Sequence, residues 1–116
     1  MKFLMMHYFD ESELSWDDGP TVPDAAVDQE IDAWVREMES SGVKLHGGRL
    51  RPVAEALTVR VRGGEPLLTD GPFAETKEQI AGFDVLECDT LAQAVDVASR
   101  HPSARYGTLE LRPFWD

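Results

Sequence analysis

The densest collection of groups able to do chemistry is the string Thr69-Asp70-Gly71-Pro72-Phe73-Ala74-Glu75-Thr76-Lys77-Glu78. It packs a carboxylate, a turn, an aromatic ring, a hydroxyl and an ammonium together, enough for a small polar pocket at the end of a sheet. Asp70 is the candidate acid or base. A carboxylate working near neutral pH needs a dry wall to raise its pKa, and Phe73 is the neighbour that can supply one. Thr76 and Lys77 are the candidate substrate contacts. The competing reading has Asp70 capping an Asx-type turn and Lys77 solvated. Farther along, Arg105, Glu110 and Arg112 offer charge to the same pocket, with Arg105 or Arg112 holding an anionic group beside Asp70. Their structural alternative is a Glu110–Arg112 or cross-subunit salt bridge that fixes a dimer.

The remaining reactive side chains are scattered. His101 is expected in the last turn of a helix, where its cation suits the negative end of the dipole. His7 shares a strand side with Met5 and Phe9 and is expected either to line the interior or to hydrogen-bond a neighbour. Asp84 is an unexpected acid in an apolar run. The three histidines and one cysteine show no H-x-H or H-x-x-x-H spacing, so no metal is expected. No Gly-rich phosphate loop precedes a helix, so no nucleotide cofactor is expected. Ser–His–Asp catalysis lacks an identifiable nucleophile elbow. Cys88 reads as a small buried hydrophobe, and Trp16 with Phe114-Trp115 as packing clamps.

These residues must be positioned by alternating strands and helices. Residues 2–9 are apolar or aromatic and read as a strand, followed by an acidic, turn-rich loop over 10–23. Val27, Ile31, Trp34, Val35 and Met38 form one stripe of a helix, which Thr21 or Asp24 can cap and Gly42 stops. Period-two alternation follows through Leu57, Val59 and Val61, and Gly63-Gly64 predicts a hairpin to Pro66–Thr69. Residues 80–88 read as a further strand. Leu91, Ala94, Val95 and Ala98 mark a second helix capped by Asp89 or Thr90, and 106–112 a last strand. Two split βαβ units with an inserted hairpin predict an α+β, ferredoxin-like fold in a single domain spanning 1–116. Phe3, Met5 and Phe9 load one face of the first strand while Leu4, Met6 and Tyr8 load the other. A second copy is the simplest cover for that other face, which predicts a homodimer.

The chain has 116 residues, with 22 Asp plus Glu against 11 Lys plus Arg and a formal charge of −11. Residues 10–39 hold eleven of the acids and only one base, Arg36, so this segment carries −10 while the rest is nearly balanced. No segment has the excess of Lys and Arg that would displace phosphate counterions, which argues against nucleic acid and anionic lipid as partners. The N-terminal apolar run is too short for a secretory signal, and no stretch approaches the roughly 20 apolar residues of a membrane span. With one cysteine, a cytoplasmic protein is expected.

Asp70–Glu78, followed by Ile80-Ala81-Gly82-Phe83 and by Pro102-Ser103-Ala104-Arg105-Tyr106-Gly107-Thr108-Leu109-Glu110-Leu111-Arg112-Pro113, resembles the YCII-related family, in particular its DGPF-motif branch. The likeness covers nearly the whole chain, from Met1-Lys2-Phe3-Leu4 through Gly47-Gly48-Arg49-Leu50 and Thr58-Val59-Arg60. It implies a dimeric ferredoxin-like α+β barrel with a small-ligand pocket at the dimer interface. In one branch it implies a His and Asp active site. Asp70 matches the acid, whereas residues 24–41 contain no histidine to match the base, so His46 or His101 would have to replace it. The resemblance further implies association with extracytoplasmic-function sigma factors. Two functions are therefore expected in competition. One is a dimeric, enzyme-like protein binding a small polar or anionic metabolite. The other is a non-catalytic regulatory module offering its acidic segment to a sigma-factor-linked protein.

Overall fold

A computed structural model of the chain describes residues 1–14 and 25–115. The main sheet comprises β1 (Lys2–Asp10), β2 (Lys44–Arg49), β5 (Glu78–Glu87) and β6 (Thr108–Pro113) in the order β2-β5-β1-β6. Every neighbouring pair is antiparallel. Helix α1 (Ala25–Ser40) crosses from β1 to β2, and α2 (Leu91–Ser99) with the short α3 (Ser103–Tyr106) crosses from β5 to β6. That is the ferredoxin-like arrangement expected from the order of elements. Strands β3 (Leu57–Arg62) and β4 (Glu65–Asp70) form a separate two-stranded sheet between β2 and β5.

Alternation along β1 decides which face meets the helices. Phe3, Met5, His7 and Phe9 are buried while Leu4, Met6 and Tyr8 are half-exposed. The α1 stripe closes over them with Val27, Trp34 and Met38 buried, and the Trp34 indole N–H is satisfied by the Val97 carbonyl at 2.9 Å. Gly42 stops the helix with φ 77°, a left-handed conformation that glycine adopts without steric cost. The expected caps Thr21 and Asp24 lie outside the described residues, as does Trp16.

Helix α2 starts as expected, with the Thr90 hydroxyl accepting the Gln93 N–H at 3.1 Å. Its buried face is Ala94, Val97 and Ala98, however, while Leu91 and Val95 are exposed. The small alanines let the helix backbone come close to the sheet, and the Val97 carbonyl accepts the Trp34 indole N–H. On β6, Leu109 and Leu111 pack against the core as expected. Cys88 is buried, and that burial pushes its thiol pKa up. Trp115 is fully exposed and clamps nothing among the described residues, a correction to its expected packing role.

The hairpin turns through Gly63 (φ 59°) and Gly64 (φ 81°), the pair of positive φ angles that a two-residue type I′ turn requires. Its register pairs Val59 with Leu68 and Val61 with Pro66. Cross-strand partners share a face, so Leu57, Val59, Val61, Pro66 and Leu68 form one apolar surface. These side chains are all exposed. The hairpin is thus an arm whose apolar face is left uncovered by its own chain among the described residues.

Candidate active site

Two β-bulges set the geometry of the site. Between His7 and Tyr8 the β1–β5 register slips by one, so His7 faces Gly82 while Tyr8 faces Ile80. A second slip lies between Lys44 and His46 on β2. Bulges re-aim side chains locally, and here they flank one spot on the helix-facing side of the sheet. Met5 is directly opposite Asp84 and His7 opposite Gly82, so His7 and Asp84 are diagonal neighbours on adjacent strands.

Both are buried, and they are bonded: His7 Nε2 lies 2.6 Å from Asp84 Oδ2. Lys44 Nζ lies 3.3 Å from the other carboxylate oxygen. The opposite ring nitrogen of His7, Nδ1, lies 2.9 Å from the Ser103 hydroxyl. A carboxylate only accepts, so the hydrogen between His7 and Asp84 is on Nε2. In the neutral imidazole Nδ1 is then a lone pair that accepts from Ser103. The result is a continuous chain of Asp84, His7 and Ser103 drawn from β5, β1 and α3.

Glycine makes room for it. A Cβ on Gly47 would collide with Asp84 Oδ1 and come within 2.9 Å of Lys44 Nζ, and one on Gly82 within 2.9 Å of the Gly48 carbonyl. The close approach of β2 to β5 at the ion pair therefore depends on the bare backbone of residues 47 and 82.

His101 completes the cluster. Its ring stands edge-on to both His7 and Trp34, with centroids 4.7 Å away in each case. It lies beyond the end of α2 and is buried, so the expected role of a capping cation in the last turn of that helix is corrected. Burial, reinforced by His7 and opposed by Asp84, lowers its pKa to about 3. The ring is neutral at physiological pH. Its Nδ1 accepts the Ser103 backbone N–H at 2.9 Å, which leaves its own hydrogen on Nε2.

His7, Asp84 and His101 could each offer a metal-ligating atom, all within 4.8 Å of one another. The donor set nevertheless fits a divalent ion poorly. A ligating imidazole nitrogen must be a lone pair while the other nitrogen carries the hydrogen, and the Ser103 N–H fixes the reverse tautomer at His101. The Lys44 ammonium already neutralises Asp84 and would repel a second cation.

The cluster opens on a cavity of about 320 Å³ between the sheet, α1 and α3. Its wall is apolar at Phe9, Val27 and Ile31 and polar at His7, Lys44, Arg49 and Ser103. An apolar cleft with a few converging polar groups is the usual form of a small-molecule site.

The residues singled out from sequence lie elsewhere. Asp70 ends β4 at the base of the arm, exposed, and its carboxylate makes no hydrogen bond among the described residues. The turn is held instead by the Gly71 N–H to the Ala56 carbonyl and by the Thr58 hydroxyl to the Gly71 carbonyl. Phe73 is 80% exposed. Thr76 donates to the Glu78 carbonyl, and Thr76 and Lys77 line a shallow recess with Asp10 and Glu11. Arg105 is bound to Glu30 and lies over the Tyr106 ring, Glu110 accepts from the Tyr8 hydroxyl at 3.3 Å, and Arg112 is exposed on β6. His46 is exposed and meets Phe83, so neither it nor His101 joins Asp70.

A ferredoxin-like sheet with a buried His–Asp pair under its crossover helices defines the class of this molecule. The YCII-related domain matches residues 1–116 in full, and the chain belongs to that family. It is 36% identical over 118 residues to an uncharacterized protein of Rhizobium meliloti (strain 1021), a match covering 97% of this chain and 91% of the relative.

Proposed function

We propose that this protein is an enzyme-like, small-metabolite-binding dimer of the DGPF branch whose acid–base centre is His7 oriented by Asp84. One observation carries this reading: a buried, hydrogen-bonded chain from Asp84 through His7 to Ser103 ends in a cavity of small-molecule size. The carboxylate fixes the imidazole tautomer, His7 and Ser103 both line the cavity, and its charged wall, Lys44 and Arg49 beside Asp32 and Asp84, favours a polar ligand. A cytoplasmic location accords with it, and no helix among the described residues is long and apolar enough to cross a membrane.

The dimer, and with it the α+β barrel of two sheets, is supported by the half-exposed apolar face of β1 and by the uncovered arm. Asp70 with Thr76 and Lys77 is the competing assignment for the acid or base. The competing function, a sigma-factor-linked interaction module, draws on the acidic surface of α1. Two of those carboxylates, Glu30 and Glu37, are already taken by Arg105 and Arg100 of the same chain, which favours the metabolite reading.

Thermal-shift screening of the purified protein against small carboxylic and phosphorylated metabolites tests the assignment. A stabilising ligand whose effect is lost in Lys44→Met and His7→Asn, and kept in Asp70→Asn, supports the cleft. Loss in Asp70→Asn alone transfers the site to the arm base.

A further inference from the structure

Both ring nitrogens of His7 are occupied, Nε2 by Asp84 and Nδ1 by Ser103. Ser103 and His7 both line the cavity, and the Ser103 hydroxyl sits on the one ring nitrogen that Asp84 leaves free. We propose that Ser103 is a catalytic nucleophile and that the cleft carries out acyl transfer from a small ester to water. This deepens the acid–base reading of the cleft and rests on it.

The geometry is that of an activated hydroxyl. Ser103 Oγ is 2.9 Å from the nitrogen that would take its proton, and the far side of that imidazole is held at 2.6 Å by a carboxylate. A nucleophile within hydrogen-bond reach of a base that is itself oriented by a third group is the arrangement that recurs on unrelated folds with different chain orders. Here the order is His7, Asp84, Ser103. No strand-to-helix elbow is needed, because Pro102 and the His101 Nδ1 bond to the Ser103 N–H fix the serine at the start of α3.

His101 supplies the complementary electrophile. It lines the cavity, its ring is neutral, and its remaining hydrogen is on Nε2. That N–H has no partner among the described residues. It is also not one of the buried side-chain atoms cut off from a partner, a condition met among the described residues only by Asp28 Oδ1. A neutral imidazole N–H is a donor for an oxyanion that cannot compete for the proton His7 must carry.

The step balances without a cofactor. Ser103 Oγ attacks the ester carbonyl carbon, its proton passes to His7 Nδ1, and the carbonyl oxygen becomes an oxyanion. Collapse breaks the bond to the alcohol oxygen, which leaves with the proton from His7. Water then attacks the acyl-serine, its proton passes to His7, and the departing serine oxygen recovers it as the carboxylic acid is released.

The test uses the whole protein, a fluorophosphonate probe and p-nitrophenyl acetate. Intact-mass spectrometry is expected to show one phosphonyl adduct on the folded chain, mapping to Ser103. Ester turnover is expected to fall at least about 100-fold in Ser103→Ala and His7→Asn, the scale of losing an activated nucleophile or its base. Absence of an adduct, or an adduct that maps elsewhere or persists in Ser103→Ala, overturns the nucleophile. Because the mapping is done on the unsubstituted chain, it does not depend on any variant folding. If no adduct forms while a ligand's thermal shift still requires His7, the nucleophile is lost and the acid–base cleft stands. If His7→Asn changes neither, both fall.

Discussion

Asp84 is the residue on which the site turns, because from a buried position it holds an imidazole on one oxygen and an ammonium on the other. Removing one member of a buried pair leaves the other charge uncompensated, at a cost of about 3–5 kcal/mol. Asp84→Asn should therefore lose about that much in urea unfolding. The double variant Asp84→Asn/Lys44→Met should recover a large part of it, and additive losses would contradict the pairing. His101 gives a pH signature. Its folded pKa of about 3 lies below its ordinary 6.5, so the unfolded chain binds the proton first. Its contribution is fully present above pH 6.5 and is lost as pH falls towards 3, at about 1.4 kcal/mol per unit. Between pH 6.5 and 5 the urea midpoint should drop, and His101→Leu should flatten that slope. None of this was visible as a motif. His7 and Ser103 are 96 positions apart and His7 and Asp84 are 77 apart, so strand register joins the pair and the placement of α3 adds the serine. The available signal was parity: His7 interrupts the Met5–Phe9 side of β1 and Asp84 the Gly82–Leu86 side of β5, two polar intrusions on the same buried face.

At the scale of elements the sequence was easier to read, because periodicity is local. The α1 stripe, the Gly42 stop, the Thr90 cap and the Gly63-Gly64 turn all follow from residue types a few positions apart. What periodicity could not convey was that α2 buries Val97 while Leu91 and Val95 stay exposed, or the separation of the hairpin from the main sheet. That separation gives a contrast between substitutions. Met38→Ala removes a fully buried side chain from the main core and should cost about 2–5 kcal/mol of global stability. Gly64→Val forces a β-branched residue into a left-handed turn, yet it strains only the arm. The global urea midpoint should drop clearly in the first and barely in the second.

For the whole molecule, the shape is the telling quantity. The radius of gyration is 15.8 Å, against about 13 Å for a compact chain of this length. Extents of 47 × 37 × 20 Å describe a flat body with a projecting arm. A two-stranded ribbon is marginal by itself in water, and this one exposes Val59 and Leu68 side by side. In the proposed dimer these side chains help to hold the copies together. Sedimentation equilibrium should give twice the chain mass, and Val59→Arg with Leu68→Arg should shift the protein towards the monomer without loss of helical signal. A mass unchanged by the charges would free the arm from that role.

The uncovered arm also makes a prediction about time. Amides of β1 and β5 lie in the middle of the main sheet and can open only when the body unfolds, whereas those of β3 and β4 are paired, among the described residues, with each other alone. Hydrogen exchange should therefore be fast in the arm of a dilute sample and slow progressively as protein concentration rises. The arm's amides would then act as an internal clock of assembly, separating the moment when one copy is folded from the moment when it is finished.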